Sequence, residues 1–382
     1  MAGTQAKRGV SLALSGGGFR ATLFHLGSLW RLNELGWLPK LTEVTSVSGG
    51  SIISAFLGLH WKQLSFQNNV ATNFETVIAK PIQNFCSKTI DIGAVVKGFL
   101  TPFKHTSDYV IAEYEKRLYG KTTLQNLPAK GEGPLFTIYG TSLQTGASIR
   151  FSRPYMAEYH LGKIRSPSIS LAKAVACSSG FPPVLCPVMI KSEPSSWEEF
   201  EGADLFLNKD MKSTMYVGDG GIYDNLGLER AWDYELVLVS DAGAPFTVKP
   251  SPTWLKFSMV ARTKRTLDII DNQSRSLRKR MLIRDFQSQA RKGAYWSIGS
   301  HVKDYELEKQ GLQPIVTDSA ITAGLAKMRT RLNSFSKQEQ GRLINWGYAM
   351  ADTAMRRHIL SASDGQGGSW PLPEYALNKE GG

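Results

Sequence analysis

Residues 45–51 read Thr-Ser-Val-Ser-Gly-Gly-Ser, and this run of small residues determines how the chain around it folds. Residues 41–47 predict a buried strand, and the apolar run 52–59 predicts a helix that follows it directly. A serine at a sharp strand-to-helix turn presents its hydroxyl at the carboxyl end of a sheet, where the helix N-terminus contributes a positive dipole. Ser48 is therefore the predicted nucleophile.

The turn around Ser48 matches the pattern of such an elbow only in part. That pattern is Gly-x-Ser-x-Gly, of which Gly50 keeps the second glycine while Ser46 replaces the first. Both positions carry small residues, so a tight turn is still allowed. The match is weak alone, and a second motif upstream strengthens it.

That second motif is a glycine-rich loop. Residues 10–14 predict a short buried strand that leads into Ser15-Gly16-Gly17-Gly18-Phe19-Arg20, and residues 22–35 predict a helix that is apolar on nearly all sides. Consecutive glycines allow backbone N–H groups to converge on one anion. Such a nest suits the oxyanion that forms when a hydroxyl attacks an ester.

The same loop also fits a dinucleotide-binding fingerprint, Gly16-x-Gly18-x-x-Ala21, between a strand and a helix. That fingerprint requires an acidic residue at the end of the second strand. Here Glu43 lies near the beginning of that strand, so the oxyanion interpretation is preferred.

Two aspartates follow predicted strands and are candidates for the base. Asp219 lies in Gly218-Asp219-Gly220-Gly221 after residues 215–217, and Asp241 follows residues 236–239. Flanking glycines let a carboxylate approach another backbone closely, although Asp-Gly-Gly is also a common turn. From the residues alone, the two positions are equally well placed.

Three stretches together resemble the patatin-like phospholipase family: Gly16-Gly17-Gly18-Phe19-Arg20, Ser46-Val47-Ser48-Gly49-Gly50 and Asp219-Gly220-Gly221. Residues 178–183 are similar to the small-residue and proline loop of that family, and the resemblance covers roughly residues 9–245. It implies a three-layer α/β/α fold with a mostly parallel central sheet and a helical insertion.

The resemblance also implies a reaction. Ser48 would attack a fatty-acyl ester of a membrane phospholipid and Asp219 would take its proton, without a metal or cofactor. The oxyanion hole would be formed by Gly16, Gly17 and Gly18, with the charge of Arg20 nearby.

Two other functions remain possible from the sequence. The first is an α/β-hydrolase esterase with a Ser-Asp-His triad, in which His301 or His358 is the base. His25 lies inside the first predicted helix and is expected to be a packed core histidine. The second is a non-catalytic cationic module that binds nucleotide or nucleic acid.

The 382 residues are expected to form one domain over residues 1–360, with a flexible tail over 361–382. Residues 61–128 predict the helical insertion, in which Phe85, Phe99, Leu100 and Phe103 either belong to the core or form a lipid-facing lid. No apolar run reaches the roughly 18 residues of a membrane span, and no signal peptide is indicated. The three cysteines suggest neither a disulfide framework nor a zinc site, so the expected location is cytoplasmic, and peripheral on the inner membrane when active.

Residues 254–292 predict a long basic helix. Between residues 262 and 292 lie ten Lys or Arg and three Asp, so seven of the twelve net positive charges are concentrated there. A stripe with spacings of three and four is expected to pack against the body: Val260, Thr263, Leu267, Ile270, Ser274, Leu277 and Met281. The charged residues expected to lie off that stripe are Arg265, Arg275, Arg278, Lys279 and Arg280.

These basic residues suggest binding of anionic phospholipid headgroups or of a phosphate-bearing regulator. Some bacterial patatin-like enzymes are effectors that cyclic oligonucleotides activate in anti-phage defence, and the resemblance is compatible with such an activator. If the chain is an enzyme, no nucleic-acid partner is expected, and oligomerisation is possible. A helix face that is merely solvated would explain the same charges.

Overall fold

The computed structural model describes residues 6–90, 106–182, 185–248, 258–361 and 367–378. The strands are β1 Lys7–Leu14, β2 Leu41–Val47, β3 Phe66–Gln67, β4 Val70–Ala71, β5 Leu135–Ser142, β6 Ser148–Phe151, β7 Tyr155–Glu158, β8 Gly162–Arg165, β9 Val188–Lys191, β10 Trp197–Glu198, β11 Thr214–Asp219, β12 Tyr234–Asp241 and β13 Lys292–Ser297. The α-helices are α1 Gly18–Glu34, α2 Gly49–Leu59, α3 Lys80–Cys86, α4 Thr106–Tyr114, α5 Leu171–Ser178, α6 Lys209–Ser213, α7 Gly221–Asp224, α8 Leu228–Ala231, α9 Met259–Gln287, α10 Ala320–Leu325 and α11 Lys337–His358.

Five parallel strands form the centre of the main sheet, in the order β5-β2-β1-β12-β13. The strands β6, β7, β8 and β10 extend it from β5 in antiparallel fashion, and β11 also pairs with β5 antiparallel and carries β9. The carboxyl ends of β1 and β2 lie side by side, with Leu14 paired to Ser46. This register brings the glycine-rich loop and the elbow together.

Helices cover both faces of the central strands. On β1 and β12, Leu12 and Leu238 join the core that contains α1 and α11, whereas Ala13 and Val237 join a separate core with α8 and the C-terminal part of α9. Alternating strand residues point to opposite faces of a sheet, so both faces are buried. The expected three-layer α/β/α fold with a parallel centre is confirmed.

The first helix is the most buried helix of the chain's first half, since every residue from Gly18 to Asn33 is buried. It packs along α11, and the pair is joined by the buried ion pair between Arg31 and Asp352. The prediction of an apolar helix between two layers is therefore confirmed.

The insertion differs in detail from the prediction. Residues 66–71 form the short β3–β4 pair, and a π-helical turn begins only at Glu75. Phe85 is buried against Phe19 at a ring distance of 5.1 Å, so its expected exposure to lipid is wrong. The other three residues of the proposed lid, Phe99, Leu100 and Phe103, lie outside the described residues.

The end of the chain also departs from expectation. In residues 367–378 the backbone packs on α11, because the amide of Asn345 donates to the carbonyls of Leu372 and Tyr375 at 2.8 and 2.9 Å. Leu377 is buried. A flexible tail was expected here, and for this segment that prediction is wrong.

Across the described residues, every helix is too short or too polar to cross a lipid bilayer.

Candidate active site

Ser48 lies at a strained elbow between β2 and α2. Its backbone has φ 51° and ψ −118°, a conformation that residues with a side chain rarely adopt. The hydroxyl of Ser178 accepts a hydrogen bond from the Ser48 N–H at 2.9 Å, and the Ser51 hydroxyl links Ser178 to Ser46. Ser46 thus takes part in a hydroxyl network below the elbow.

The contact of Ser178 with the elbow has no signal of its own in the sequence. Ser178 is the last residue of α5 and the first of the small-residue loop. The resemblance of that loop to the family's loop was the only indication that Ser178 lies near the site.

Asp219 is the last residue of β11 and faces the elbow. Val47 pairs with Tyr139 on β5, and Asp219 pairs with Gly140, so the two strand ends are neighbours along β5. The Ser48 side chain lies close enough to the Asp219 carboxylate to favour its charged form. The two residues predicted to be nucleophile and base are therefore in contact.

The backbone around Asp219 holds its carboxylate in place. Its Oδ1 accepts a hydrogen bond from the N–H of Gly221 at 2.7 Å, and its own N–H donates to the carbonyl of Gly180 at 2.9 Å. Gly220 donates to the carbonyl of Ser178, so the Asp-Gly-Gly turn and the loop after α5 are joined.

Burial raises the pKa of Asp219 to about 7, with the negative charge of Asp271 acting in the same direction. The hydrogen bond from Gly221 and the neighbouring Ser48 side chain oppose this rise but do not cancel it. A carboxyl group with a pKa near neutrality is partly ionised at pH 7 and is suited to accept and return a proton.

The glycine-rich loop lies against the elbow. A Cβ on Gly49 would stand 2.1 Å from the carbonyl oxygen of Gly18, so the two backbones are in direct contact. Gly17 and Gly18 have φ values of 142° and 58°, which favour glycine. In the described part of the chain no acceptor takes the N–H of Gly17 or Gly18, whereas the N–H of Gly16 donates to the carbonyl of Asn225.

Gly16 is therefore engaged in the fold, which differs from its expected place among the oxyanion donors. A Cβ on Gly16 would stand 3.2 Å from the Cβ of Ser48, so this glycine is needed for the close approach of the loop. A Cβ on Gly50 would likewise stand 2.4 Å from the carbonyl oxygen of Leu14. Gly50 thus permits α2 to start against β1.

Arg20 supports the loop from within the protein. Its guanidinium donates to the carbonyls of Ala242, Met328 and Ala326, at 2.7, 2.8 and 3.3 Å. Burial lowers its pKa to about 10, so it stays charged at neutral pH. The contacts indicate a residue that fixes the glycine loop to its neighbours, and they differ from the expected approach of a free charge to the oxyanion.

Asp241, the second candidate base, is committed to an ion pair. Burial acts to raise its pKa, but Arg275 at 2.9 Å and the Tyr295 hydroxyl at 2.7 Å hold that pKa below its usual value. Its Oδ1 also accepts from the N–H of Gly243. The fold therefore favours the charged form of this carboxylate and engages both of its oxygens, unlike that of Asp219.

The three candidate histidines lie apart from Ser48 and Asp219. The imidazole of His25 is buried between the Ser240 hydroxyl and the Ser15 carbonyl, and burial lowers its pKa to about 4. His301 lies beside Asp318, and His358 packs near Tyr305. In the described ranges none of the three hydrogen-bonds to Ser48 or Asp219, which argues against the triad.

The basic helix α9 exposes the apolar side that was expected to pack against the protein. Leu267, Ile270 and Leu277, which were expected to pack, are exposed. Arg275 instead pairs with Asp241, and Arg278 donates to the Tyr223 carbonyl at 3.0 Å.

The other basic residues of α9 differ among themselves. Arg265 stacks on Phe246 with 4.1 Å between guanidinium carbon and ring centre, and Lys279 lies over Tyr295 at 4.6 Å. Of the five basic residues singled out from the sequence, Arg280 alone is exposed, and the other four are partly buried. The expected anion-binding face is therefore largely occupied by contacts within the protein.

The described residues contain no group of three or more His, Cys, Asp or Glu side chains that could hold a metal ion. The donors near Ser48 are backbone N–H groups and hydroxyls, which suit an oxyanion.

Comparison with known proteins agrees with this geometry. The sequence profile of the Patatin-like phospholipase family matches residues 12–232, more than half of the chain. The chain belongs to the patatin-like phospholipase family. The match includes the glycine loop, the elbow and Asp219 of this family member, and no curated protein sequence matches the chain.

Solved structures add information on the fold. Human GIVD cytosolic phospholipase A2 superimposes with a TM-score of 0.51 at 12% identity, over 91% of this chain and 61% of the human one. This patatin-like chain thus spans about three fifths of the human protein's length. VipD from Legionella pneumophila matches with a TM-score of 0.39 at 15% identity, over 97% of this chain and 73% of VipD. The first likeness supports the patatin fold, and the second is too distant to carry an argument.

Proposed function

We propose that this protein is a serine acyl hydrolase that cleaves fatty-acyl esters of membrane phospholipids with a Ser48–Asp219 dyad. The observation that carries the proposal is the juxtaposition of a strained elbow serine with a buried aspartate whose pKa is raised to about 7. Family membership supports the substrate class.

In the proposed reaction the Asp219 carboxylate takes the hydroxyl proton while Ser48 Oγ attacks the acyl carbonyl carbon. The tetrahedral intermediate collapses, and protonated Asp219 returns its proton to the departing alcohol oxygen of the lysophospholipid. Water then attacks the acyl-Ser48 ester with Asp219 as base, and the fatty acid is released. The dyad is thereby restored.

The oxyanion would be stabilised by the N–H groups of Gly17 and Gly18. Neither N–H group has an acceptor among the described residues, and Gly18 contacts the backbone of Gly49 beside Ser48. The N-termini of α1 and α2 also meet here, so both helix dipoles favour a negative charge at this point. Fixed donors of this kind supply a large part of the catalysis of acyl transfer.

Exposed apolar side chains around Asp219 support a lipid substrate. Ile222 and Leu143 both lie within 3.1 Å of the point where a Cβ on Gly218 would stand, and both are exposed. Phe181 follows Gly180, whose carbonyl accepts the Asp219 N–H, and 55% of its surface is exposed. This apolar rim, Leu143, Phe181 and Ile222, would contact acyl chains or the bilayer surface.

A fluorophosphonate probe tests the nucleophile directly. We expect labelling of Ser48, identified by peptide mass spectrometry, together with release of fatty acid from phospholipid vesicles. Wild-type protein that neither reacts with the probe nor releases fatty acid would contradict the proposal and favour a binding module.

The rim is tested by Phe181→Asp and Ile222→Asp. Both variants should hydrolyse a short-chain soluble ester normally and vesicle lipid poorly, because only the second substrate requires contact with a surface. Leu207→Asp, on an exposed leucine before α6, is the matched control and should leave both activities unchanged. Equal vesicle activity in all variants would remove the rim from the proposal.

The proposal does not extend to a cyclic-nucleotide activator. Arg275 and Arg278, which would have bound its phosphates, are engaged with Asp241 and the Tyr223 carbonyl. Contact with the membrane is proposed at the rim instead.

A further inference from the structure

The outer side of α9 carries an apolar stripe without a partner among the described residues. Ile270 and Leu277 are 57% and 53% exposed, and Leu267 and Met281 are exposed as well. Thr263 and Ser274 continue the same line. We call these six residues the α9 seam: Thr263, Leu267, Ile270, Ser274, Leu277 and Met281.

The α9 seam faces directly away from the protein. Leu282 and Phe286 of the same helix pack on the sheet face that contains Ala13 and Val237. Leu277 and Phe286 are nine positions apart, which places them about 180° apart around a helix of roughly 3.6 residues per turn. One side of α9 therefore holds it to the protein, and the opposite side presents the seam.

The spacing of the seam identifies the kind of partner. The six positions follow one another at intervals of four, three, four, three and four residues. This is the seven-residue repeat of a helix that packs along a second helix, with apolar residues in a narrow line. We propose that the occupant is the α9 helix of a second copy of this chain, packed in parallel.

Charges beside the seam favour the parallel direction. In a parallel pair Arg280 of one copy lies next to Asp285 of the other, five positions further along. Arg280 is exposed, and Asp285 uses one oxygen to accept from the Trp232 indole at 2.9 Å, which leaves the other oxygen available. An antiparallel pair with the whole seam overlapped would place the two copies of Asp271 against each other.

A bilayer fits this helix less well than a second helix does. Thr263 and Ser274 interrupt the apolar line, and Asp271 is exposed beside it. Helices that lie in a membrane surface have a broad apolar face with basic residues along its border. A narrow seam with small polar members and an acidic neighbour is instead typical of helix pairing.

The experiment measures the mass of the full chain by sedimentation velocity over a wide concentration range. The wild type should approach the mass of two chains as concentration rises, and the double variant Ile270→Glu, Leu277→Glu should keep the mass of one. Ile269→Glu is the matched control, because Ile269 is 42% exposed but lies off the seam, and it should dimerise like wild type. A wild type that stays monomeric, or a double variant that still dimerises, would overturn the proposal.

Cross-linking tests the direction and does not depend on the double variant. In a Cys186→Ser background, Ser274→Cys should form a disulfide-linked dimer under mild oxidation, since a parallel pair places the two copies of residue 274 opposite each other. The other two cysteines are buried. A dimer that forms no such cross-link would refute parallel packing.

The bilayer is the alternative outcome. A monomeric wild type that floats with anionic vesicles and loses that property with Ile270→Glu, Leu277→Glu would assign the seam to lipid and refute the dimer. The seam lies outside the proposed catalytic residues, so labelling of Ser48 by the fluorophosphonate is judged separately from this result.

Discussion

Ser48 and Asp219 meet because β2 and β11 both pair with β5, one parallel and one antiparallel, and end at adjacent residues of that strand. Val47, the last residue of β2, pairs with Tyr139, and Asp219, the last residue of β11, pairs with Gly140. Two adjacent residues of β5 are thus paired with the last residue of β2 and the last residue of β11. The register of the sheet therefore positions the serine beside the aspartate.

Ser48→Ala should abolish hydrolysis without unfolding the protein. Loss of a covalent nucleophile reduces turnover by on the order of a millionfold. The control is Ser54→Ala on the next turn of α2, whose buried hydroxyl has no hydrogen-bond partner among the described residues. That variant should keep full activity, and a Ser48→Ala protein with near-normal turnover would disprove the assignment.

Asp219→Asn should be folded and inactive, because the amide can accept the Gly221 N–H but cannot take a proton from Ser48. Turnover of a soluble ester and the melting temperature are measured together. The matched variant is Asp241→Asn, which leaves Arg275 without its buried partner and should destabilise the fold by on the order of 3 kcal/mol. If Asp219→Asn were active and Asp241→Asn folded but inactive, the roles would be reversed.

Activity should depend on pH through Asp219. Burial raises its pKa to about 7, and only the carboxylate accepts the Ser48 proton, so kcat/KM should rise about tenfold per pH unit below that value and level off above it. The profile is recorded with a short soluble ester. A midpoint near the ordinary aspartate pKa would show that Asp219 does not limit the rate.

The stability of the fold should also depend on the ionisation of Asp219, but it should fall as the pH rises, whereas activity increases. A carboxyl group whose pKa is higher in the folded state stabilises the fold at low pH and loses that contribution as pH rises through its folded pKa. Relative to the wild type, Asp219→Asn should therefore gain melting temperature as the pH rises from about 4 to about 7, and the difference should level off above that value. A constant difference between the two proteins across this range would contradict the raised pKa.

Ser178→Ala should lower kcat more than it changes KM. The substitution leaves the buried N–H of Ser48 without its acceptor, a loss that costs about 1–3 kcal/mol and relaxes the strained elbow, so at least about a tenfold fall in kcat is expected. Ser179→Ala removes the adjacent hydroxyl, which contacts Tyr114 instead of the elbow, and should be milder. Identical kcat in the two variants would exclude a role for Ser178.

Local chemistry let the sequence by itself predict the parallel centre of the fold. The strands that became β1, β2 and β12 are short apolar runs followed by glycine or serine turns, and such turns need small residues wherever they occur. The close approach of Gly18 to Gly49 is possible only without side chains, so the glycines already indicated it. For the same reason Ser48 could be assigned from residues that lie within a few positions of it.

The tertiary structure alone decided which aspartate faces the serine and which way α9 turns. Asp219 and Asp241 both follow strands and both precede small residues, but only the pairing of β11 with β5 brings Asp219 to the elbow. In α9, an apolar stripe normally packs inward, whereas here Asp241 and Tyr223 supply partners for Arg275 and Arg278. Those partners lie 34 and 55 positions away in the chain, and pairing over such distances is fixed by the fold, because no local pattern in the sequence encodes it.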